Sequence, residues 1–579
     1  MPKIARRTLL RNAGLLGAGL AMTSLFPAWA RSNSSGLVRD LPTLSGTDIK
    51  LRIGHTAWSI DGRQGHAVTI NGAVPGPLIR LQEGQTARIA VTNDLDEDTS
   101  IHWHGLIVPF QMDGVPGVSF PGIKPGETFV YEFPVVQSGT YWYHSHSGLQ
   151  EQEGHYGPIV IEPRDADPVA YDREYVVVLS DFAFMHPHEI FRKLKQQAGV
   201  FNFQKETVAG LLAGRDQPLK DRVEWAKMRM DPTDISDVTG SVYTFLINGH
   251  GPDDNWTALF NPGERVRLRF VNAAAMTIFN VRIPGLTMTV VQSDGQNVKP
   301  VDVEEFQISV AETFDVVIQP TEDKAFTLVA EAVDRSGMGR ATLAPRPGMV
   351  AAVPPLRERP VATMRDMGMD MSGMDHGPAD DTSGGMQMDM SGMDMSMRNP
   401  DNAPQVTMGP GVQTISPMPM DRTGEPGQGL EDVGHKVLVY TDLEALTPNP
   451  DSRTPSRSLE LHLTGNMERF MWSFDGEKYS EITKPIPFRL NERVRVTLVN
   501  DSMMSHPMHI HGHFFELLVG PKGRHPRKHT VNVAPGGKVT FDLTADAPGD
   551  WAFHCHMLYH MHAGMFRLVS VRPLAGEGA

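Results

Sequence analysis

The sequence predicts an all-β protein: three Greek-key β-sandwich domains with a flexible Met-rich insertion. Internal repeats carry that prediction. Pro125-Gly126 through His144-Ser145-His146 aligns without gaps on Pro535-Gly536 through His554-Cys555-His556, with Gly139 on Gly549 and Tyr143 on Phe553. Asn93 lies nine residues before His102, and Asn500 lies nine before His509. A third copy of the feeding strand, Arg265 to Asn272, resembles Arg493 to Asn500. Repetition at this length means repeated domains. Alternating Phe129, Tyr131, Phe133 and Val539, Phe541, Leu543 read as half-buried strands, punctuated by Pro-Gly and Asn-Gly pairs.

The segments follow in order. Residues 1–30 read as an address. Arg6-Arg7 precedes a Gly- and Ala-rich apolar run, and Ala28-Trp29-Ala30 offers small residues for cleavage. This is the pattern of a twin-arginine export signal, which implies the periplasm or cell exterior. The apolar run is short for a membrane anchor, so no span is expected in the mature chain. Residues 45–165 form the first domain. Residues 170–344 form the second, in which no His pair follows Asn272. Residues 345–430 are rich in Met, Asp, Gly, Ser and Pro, a composition that predicts a flexible linker. Residues 431–579 form the third domain. A net charge of −15 argues against nucleic acid or an anionic membrane as partner. A single cysteine rules out an intramolecular disulfide.

That cysteine sits in His554-Cys555-His556-Met557-Leu558-Tyr559-His560-Met561-His562-Ala563-Gly564-Met565. Thiolate, imidazole and a weak axial thioether are the ligand set of a blue-copper centre. In a strand, His554 and His556 share one face and Cys555 points to the other. The thiolate is then a short covalent link between two metal sites. A structural zinc site usually needs several thiolates, and a buried inert thiol would not need flanking histidines.

Three more close His groups accompany it: His102-Trp103-His104-Gly105, His144-Ser145-His146, and His506-Pro507-Met508-His509-Ile510-His511. With these four motifs the chain resembles the multicopper oxidases, whose patterns HxHG, HxH, HxxHxH and HCHxxxHxxxxM are all complete. The resemblance implies cupredoxin domains and four copper ions, one mononuclear blue copper and one trinuclear cluster. It assigns His506, Cys555, His560 and axial Met565 to the mononuclear site. It assigns His102 and His509 to the lone copper of the cluster, His104, His144 and His556 to one copper of the pair, and His146, His511 and His554 to the other. These ligands come from the first and last domains only, so the cluster is expected at their interface. The resemblance also implies one-electron oxidation of a donor coupled to reduction of dioxygen to water, in a monomer.

Asp113, in Gln111-Met112-Asp113-Gly114, matches an acidic position of similar oxidases and is a candidate for supplying protons; the alternative is a turn Asp before Gly. Similar oxidases often carry a second acid just before the His at 560, where Tyr559 stands here. Thioether favours Cu(I), so Met367, Met369, Met371, Met374, Met386, Met388, Met390, Met393, Met395 and Met397 are candidate Cu(I) collectors. Asp501, Met503 and Met504 lead into His506 and are candidates for holding Cu(I) before oxidation; the alternative for the two Met is apolar packing. Together with the export signal, these features point to the copper-resistance type within the family. A laccase-like phenolic donor and a copper-sequestering protein are the competing readings. His155, His186, His188, His435, His462, His525 and His529 read as surface or loop residues. His250, His513 and His562 lie off the motif spacing, with His513 and His562 able to shape a rim.

Overall fold

The computed structural model describes residues 38–369, 396–482 and 484–573. The export signal and Met371, Met374, Met386, Met388, Met390, Met393 and Met395 lie outside the described residues.

Each of the three sandwiches pairs two sheets. In the first, a four-stranded sheet (Asp48–Ile60, Arg63–Ile70, Thr86–Asn93, Thr128–Pro134) shares one core with a five-stranded sheet. The latter ends in β1 (His102–His104) and β2 (Gly139–His144). The second domain holds a six-stranded and a five-stranded sheet between Arg173 and Ala344. It also carries a helical insertion that strand periodicity does not foresee, beginning with α1 (Pro187–Gln196). Ile190 and Leu194, four residues apart on α1, are buried, as an amphipathic helix requires. The third domain places β3 (His506–Ile510) beside β4 (Gly549–Cys555), which runs on into the short helix α2 (Leu558–Ala563).

The repeated asparagine has the same role three times. In each domain the first long strand runs parallel to the strand ending in it, with Ile53 opposite Asn93, Leu179 opposite Asn272 and Leu463 opposite Asn500. The side-chain oxygen of each accepts the backbone N–H two residues on, at Leu95, Ala274 and Ser502. The amide NH2 donates to a carbonyl across the sandwich, at Ile123, Ile308 and Val533. A short amide that closes its own turn suits this position. In the outer domains the chain then turns into β1 or β3; in the middle domain it turns into Ala273-Ala274-Ala275-Met276.

The 345–430 segment differs from the expected linker wherever it is described. Ala351, Ala362, Ile415 and Leu430 are buried. Met420–Asp421 adds in parallel to the strand Gly537–Ala545, and Arg422 ties Asp366 to Glu425 at 2.8 Å each. Residues 431–456 also differ from a domain start: Leu438 N–H donates to Glu305 O, and Leu446 N–H to Asn297 O, both at 3.0 Å. The third sandwich begins at Arg457. Isolated apolar residues at intervals give these flanks one face to bury, a signal that the biased composition between them hides.

The second and third domains are joined by a fully buried ion cluster. Lys528 Nζ lies 3.0 Å from Asp294 and 3.1 Å from Glu312. Removing one partner of a buried ion cluster strands charge in a low-dielectric interior. Lys528→Met should therefore destabilise the protein by about 3–5 kcal/mol, read as a lowered denaturation midpoint; an unchanged midpoint would show that the cluster does not hold the domains.

Candidate metal centres

β1 pairs with β2 so that His102 stands opposite His144, and β3 pairs with β4 so that His509 stands opposite His554. Strand alternation sends His102 and His104 to one face while Trp103 fills the first domain's core. It does the same on β4, where His554 points to one side and Cys555 to the other. The two strand pairs face each other across the interface of the first and third domains. His102 stacks on His511, and His104 on His509, each with ring centroids 3.8 Å apart. The Nε2 atoms of His146 and His554 approach to 3.4 Å, and those of His511 and His554 to 3.1 Å. His556 completes the group, 4.9 Å from both His104 and His144 between ring centroids.

Hydrogen bonds on the outer side decide which nitrogen each ring offers. His102 Nδ1–H donates to Asp113 O at 2.8 Å, His509 Nδ1–H to His529 O at 2.7 Å, and His554 Nδ1–H to Cys555 O at 2.9 Å. His144 Nδ1 lies 2.9 Å from both Ser145 O and a Glu151 oxygen. His104 is turned the other way, with Nε2 3.2 Å from Thr530 Oγ1. The inward atoms His102 Nε2, His104 Nδ1, His144 Nε2, His509 Nε2 and both nitrogens of His556 then have no hydrogen-bond partner. Burial first, and the neighbouring imidazoles second, hold His104, His144, His146, His509, His511 and His556 well below the usual histidine range. The rings are thus neutral, and their unprotonated nitrogens converge on one buried space. Several neutral imidazole nitrogens aimed at one buried space are a donor set that suits metal cations.

A second constellation lies on the other face of Cys555. Its Sγ is 3.6 Å from His506 Nδ1 and 3.8 Å from His560 Nδ1, which are themselves 3.2 Å apart. All three residues are buried. Met565, fully buried, is tied in by its backbone: Cys555 N–H donates to its carbonyl, and its own N–H donates to His560 O. Burial pushes the thiol up and His560 down, the latter to about 3. A soft cation that displaces the thiol proton reverses the first of these effects. Ser502 Oγ sits 2.8 Å from the outer nitrogen of His506, and Asp237 of the middle domain 2.6 Å from that of His560. Trp472 stacks on His560 at 4.0 Å.

Asp113 lies at the cluster, as expected. One carboxylate oxygen accepts from His511 Nδ1–H at 2.9 Å and the other is 3.3 Å from His102 Nδ1. It is also the turn residue of the alternative: a Cβ at Gly114, where φ is +86°, would sit 1.8 Å from Ile101 O.

The sequence missed a second acid. Glu151 is buried, 2.9 Å from His144 Nδ1 by one oxygen; the other is 3.9 Å from His556 Nδ1 and has no hydrogen bond. Burial, then Asp181, hold its carboxyl well above the usual range. Gln150-Glu151-Gln152-Glu153 reads as a solvated turn, so only its spacing after His144 could have signalled this. Asp237 and Thr530 were likewise not foreseen, since they act through contacts between domains, and Ser502 acts through the loop that leads into His506.

Several expectations need correction. Asp501 does not face a donor: its carboxylate accepts from Ser416 N–H at 2.9 Å and lies 2.7 Å from His462 Nδ1. Met503 and Met504 are buried in the main core, which is the apolar-packing alternative. Met367 is buried too, while Met369 and Met397 are partly buried against the same core. His155, His462 and His529 are buried rather than on the surface, and His513 is buried as well. His186, His188 and His562 are exposed, and His435 and His525 half-buried.

Three family profiles described as multicopper oxidase match residues 52–166, 173–352 and 452–575. The chain is 48% identical to Copper resistance protein A of Escherichia coli over 612 aligned residues, covering 98% of this chain and 99% of that protein. It is 47% identical to Copper resistance protein A of Pseudomonas syringae pv. tomato, with the same coverage. Its fold is similar to the crystal structure of Fet3p, a multicopper oxidase that functions in iron import, with a TM-score of 0.63 at 19% identity over 91% of this chain and 90% of that one. By its sequence matches across all three sandwiches, this chain belongs to the multicopper oxidases, copper-dependent oxidoreductases that use dioxygen as acceptor.

Proposed function

We propose that this oxidase uses four copper ions and takes its electrons from Cu(I), in the service of copper resistance. His506, Cys555, His560 and axial Met565 would hold the blue copper. His102 and His509 would hold one cluster copper, His104, His144 and His556 a second, and His146, His511 and His554 a third. Bound there, copper supplies one-electron acceptance from the donor and four-electron reduction of dioxygen to water. The observation that carries the reading is the convergence of unpartnered, neutral imidazole nitrogens on one side of Cys555, with thiolate chemistry on the other. His554 and His556 are bonded to Cys555 through single peptide units, a covalent path for an electron. All proposed ligands come from one chain, so a monomer suffices. The twin-arginine pattern supports export to the periplasm, and among the described residues no helix is long and apolar enough to cross a membrane.

Cu(I) is favoured over a phenol by what covers His506 and His560. Both rings are buried, and their outer nitrogens are taken by Ser502 and Asp237. No imidazole edge is left for an aromatic hydroxyl. Met-rich sequence between the packed flanks supplies soft ligands for Cu(I). The relatives' name, Copper resistance protein A, points the same way.

Reduction of dioxygen to water consumes four protons. Asp113 and Glu151 stand against opposite groups of cluster histidines and are the acids placed to hold and pass them. Glu151 fills the role left open by Tyr559.

Cys555→Ser should abolish the blue thiolate-to-Cu(II) absorption and oxidase activity together; a variant that stays blue removes Cys555 from the centre. Met565→Leu should keep the colour and raise the reduction potential, since a weak axial donor is lost; an equal or lower potential removes Met565. Asp113→Asn and Glu151→Gln should each slow cluster reoxidation by dioxygen on the order of a hundredfold, within the range of acid-base contributions, while the blue copper still reduces normally. Wild-type reoxidation in either variant excludes that residue. Deleting residues 370–395, outside the packed flanks, should depress Cu(I) oxidation and spare phenol oxidation. The reverse pattern would make a phenol the donor.

A further inference from the structure

A cluster of histidines at the molecular surface has no part in either centre. His186 and His188 flank the first residue of α1, with ring centroids 5.2 Å apart. His186 Nε2 lies 3.5 Å from a carboxylate oxygen of Glu153. His562, on α2, lies in a recess that solvent can still reach. Phe191 of α1 spans the two helices, 6.4 Å from the His562 ring and 6.0 Å from that of Tyr559. Glu153 is held above the usual carboxylate range by burial and by Glu97, with His55 and His188 pulling the other way.

Two domains contribute to this cluster: Glu153 from the first, His186 and His188 from the second. Imidazole and carboxylate form a borderline-to-hard set. It suits divalent copper, unlike the thioethers that select Cu(I). The spacing is also open enough for an ion to pull the rings inward, because His186 is 65% exposed at its side chain and neither exposed ring is packed in place. His186 Nδ1 now accepts a long helix-cap hydrogen bond, 3.3 Å, from His188 N–H. Metal binding at Nε2 moves the ring proton to Nδ1 and gives up that weak bond.

We propose that His186, His188 and Glu153 form a surface Cu(II)-binding site at the junction of the first two domains. Phe191 of α1 packs against Tyr559 and His562 of α2, so the site borders the helix that holds a proposed ligand of the blue copper. Its use rests on the Cu(I) reading: Cu(II) is the product of Cu(I) oxidation, and this set holds the product where the thioethers would not. The site's existence does not rest on that reading.

The test uses the full-length, copper-loaded protein titrated with Cu(II) against a competing chelator, followed by calorimetry and electron paramagnetic resonance. The protein should take up one Cu(II) beyond its resident copper, with nitrogen superhyperfine structure from imidazole. His188→Ala and Glu153→Gln should each weaken that uptake at least about tenfold, the lower end of what losing a supporting group costs a metal site. The His186→Ala/His188→Ala double variant should abolish it, and His525→Ala should not change it. Failure to bind the additional Cu(II), or wild-type binding by the double variant, overturns the proposal. Blue absorption and oxygen uptake with an organic donor should be unchanged in these variants. Because the blue absorption reports Cys555 separately, failure of that centre is distinguishable from failure of this site.

Discussion

Eight imidazoles brought lone pair to lone pair across a buried interface are the constraint on which the rest of this structure depends. Taken alone the arrangement is unfavourable: each ring gives up water, several gain no hydrogen bond, and none can relieve the others by protonation without bringing buried positive charges together. The fold tolerates it because the outer nitrogens are fixed first. Backbone carbonyls at 113, 145, 529 and 555, with the carboxylates of Asp113 and Glu151, hold the rings in one tautomer and one orientation. The inner nitrogens are left for metal to satisfy. A metal bound there would join the first and third domains, so its binding free energy would also be folding free energy.

The middle domain contributes no cluster histidine, yet it sets the geometry from behind. Asp294 and Glu312 anchor Lys528, whose neighbours His529 and Thr530 orient His509 and His104. Asp181 accepts four hydrogen bonds from residues 275–277, and Ala275 O in turn accepts the N–H of Leu558 at the start of α2. Asp237 meets His560 directly. The middle domain carries the repeat's asparagine turn without a His pair, and that loop supports the start of the helix that carries His560.

The two sides of Cys555 illustrate how one strand serves two chemistries. Alternation along β4 separates them at no further cost in structure, since adjacent side chains must point to opposite faces. The environments then diverge. On the cluster side the neighbours are neutral imidazoles and two buried acids. On the other side a stacked indole, a serine hydroxyl and a single carboxylate surround the thiol, and the packed flanks of the Met-rich segment close over the same core.

The three sandwiches, the repeat that relates them and the grouping of motif histidines at the interface of the outer domains were legible in the sequence. Strand periodicity, a gapless repeat and close His spacing are local properties of the chain. Asp113 was legible for the same reason, being carried by a tight Asp-Gly turn next to β1. The sequence could not show which residues stand behind the ligands. Glu151, Asp237, Ser502 and Thr530 look like ordinary turn or loop residues; Asp237 and Thr530 reach His560 and His104 through packing between domains, while Glu151 and Ser502 reach His144 and His506 through turns that nothing in the local sequence marks. The same limit misled for Asp501, Met503 and Met504: closeness to His506 along the chain suggested exposure to a donor, while the fold spent them on the core and on His462. Which histidines can gather in one place follows from covalent spacing. Ligand orientation, protonation and access follow from which surfaces bury one another, and only the tertiary structure decided that.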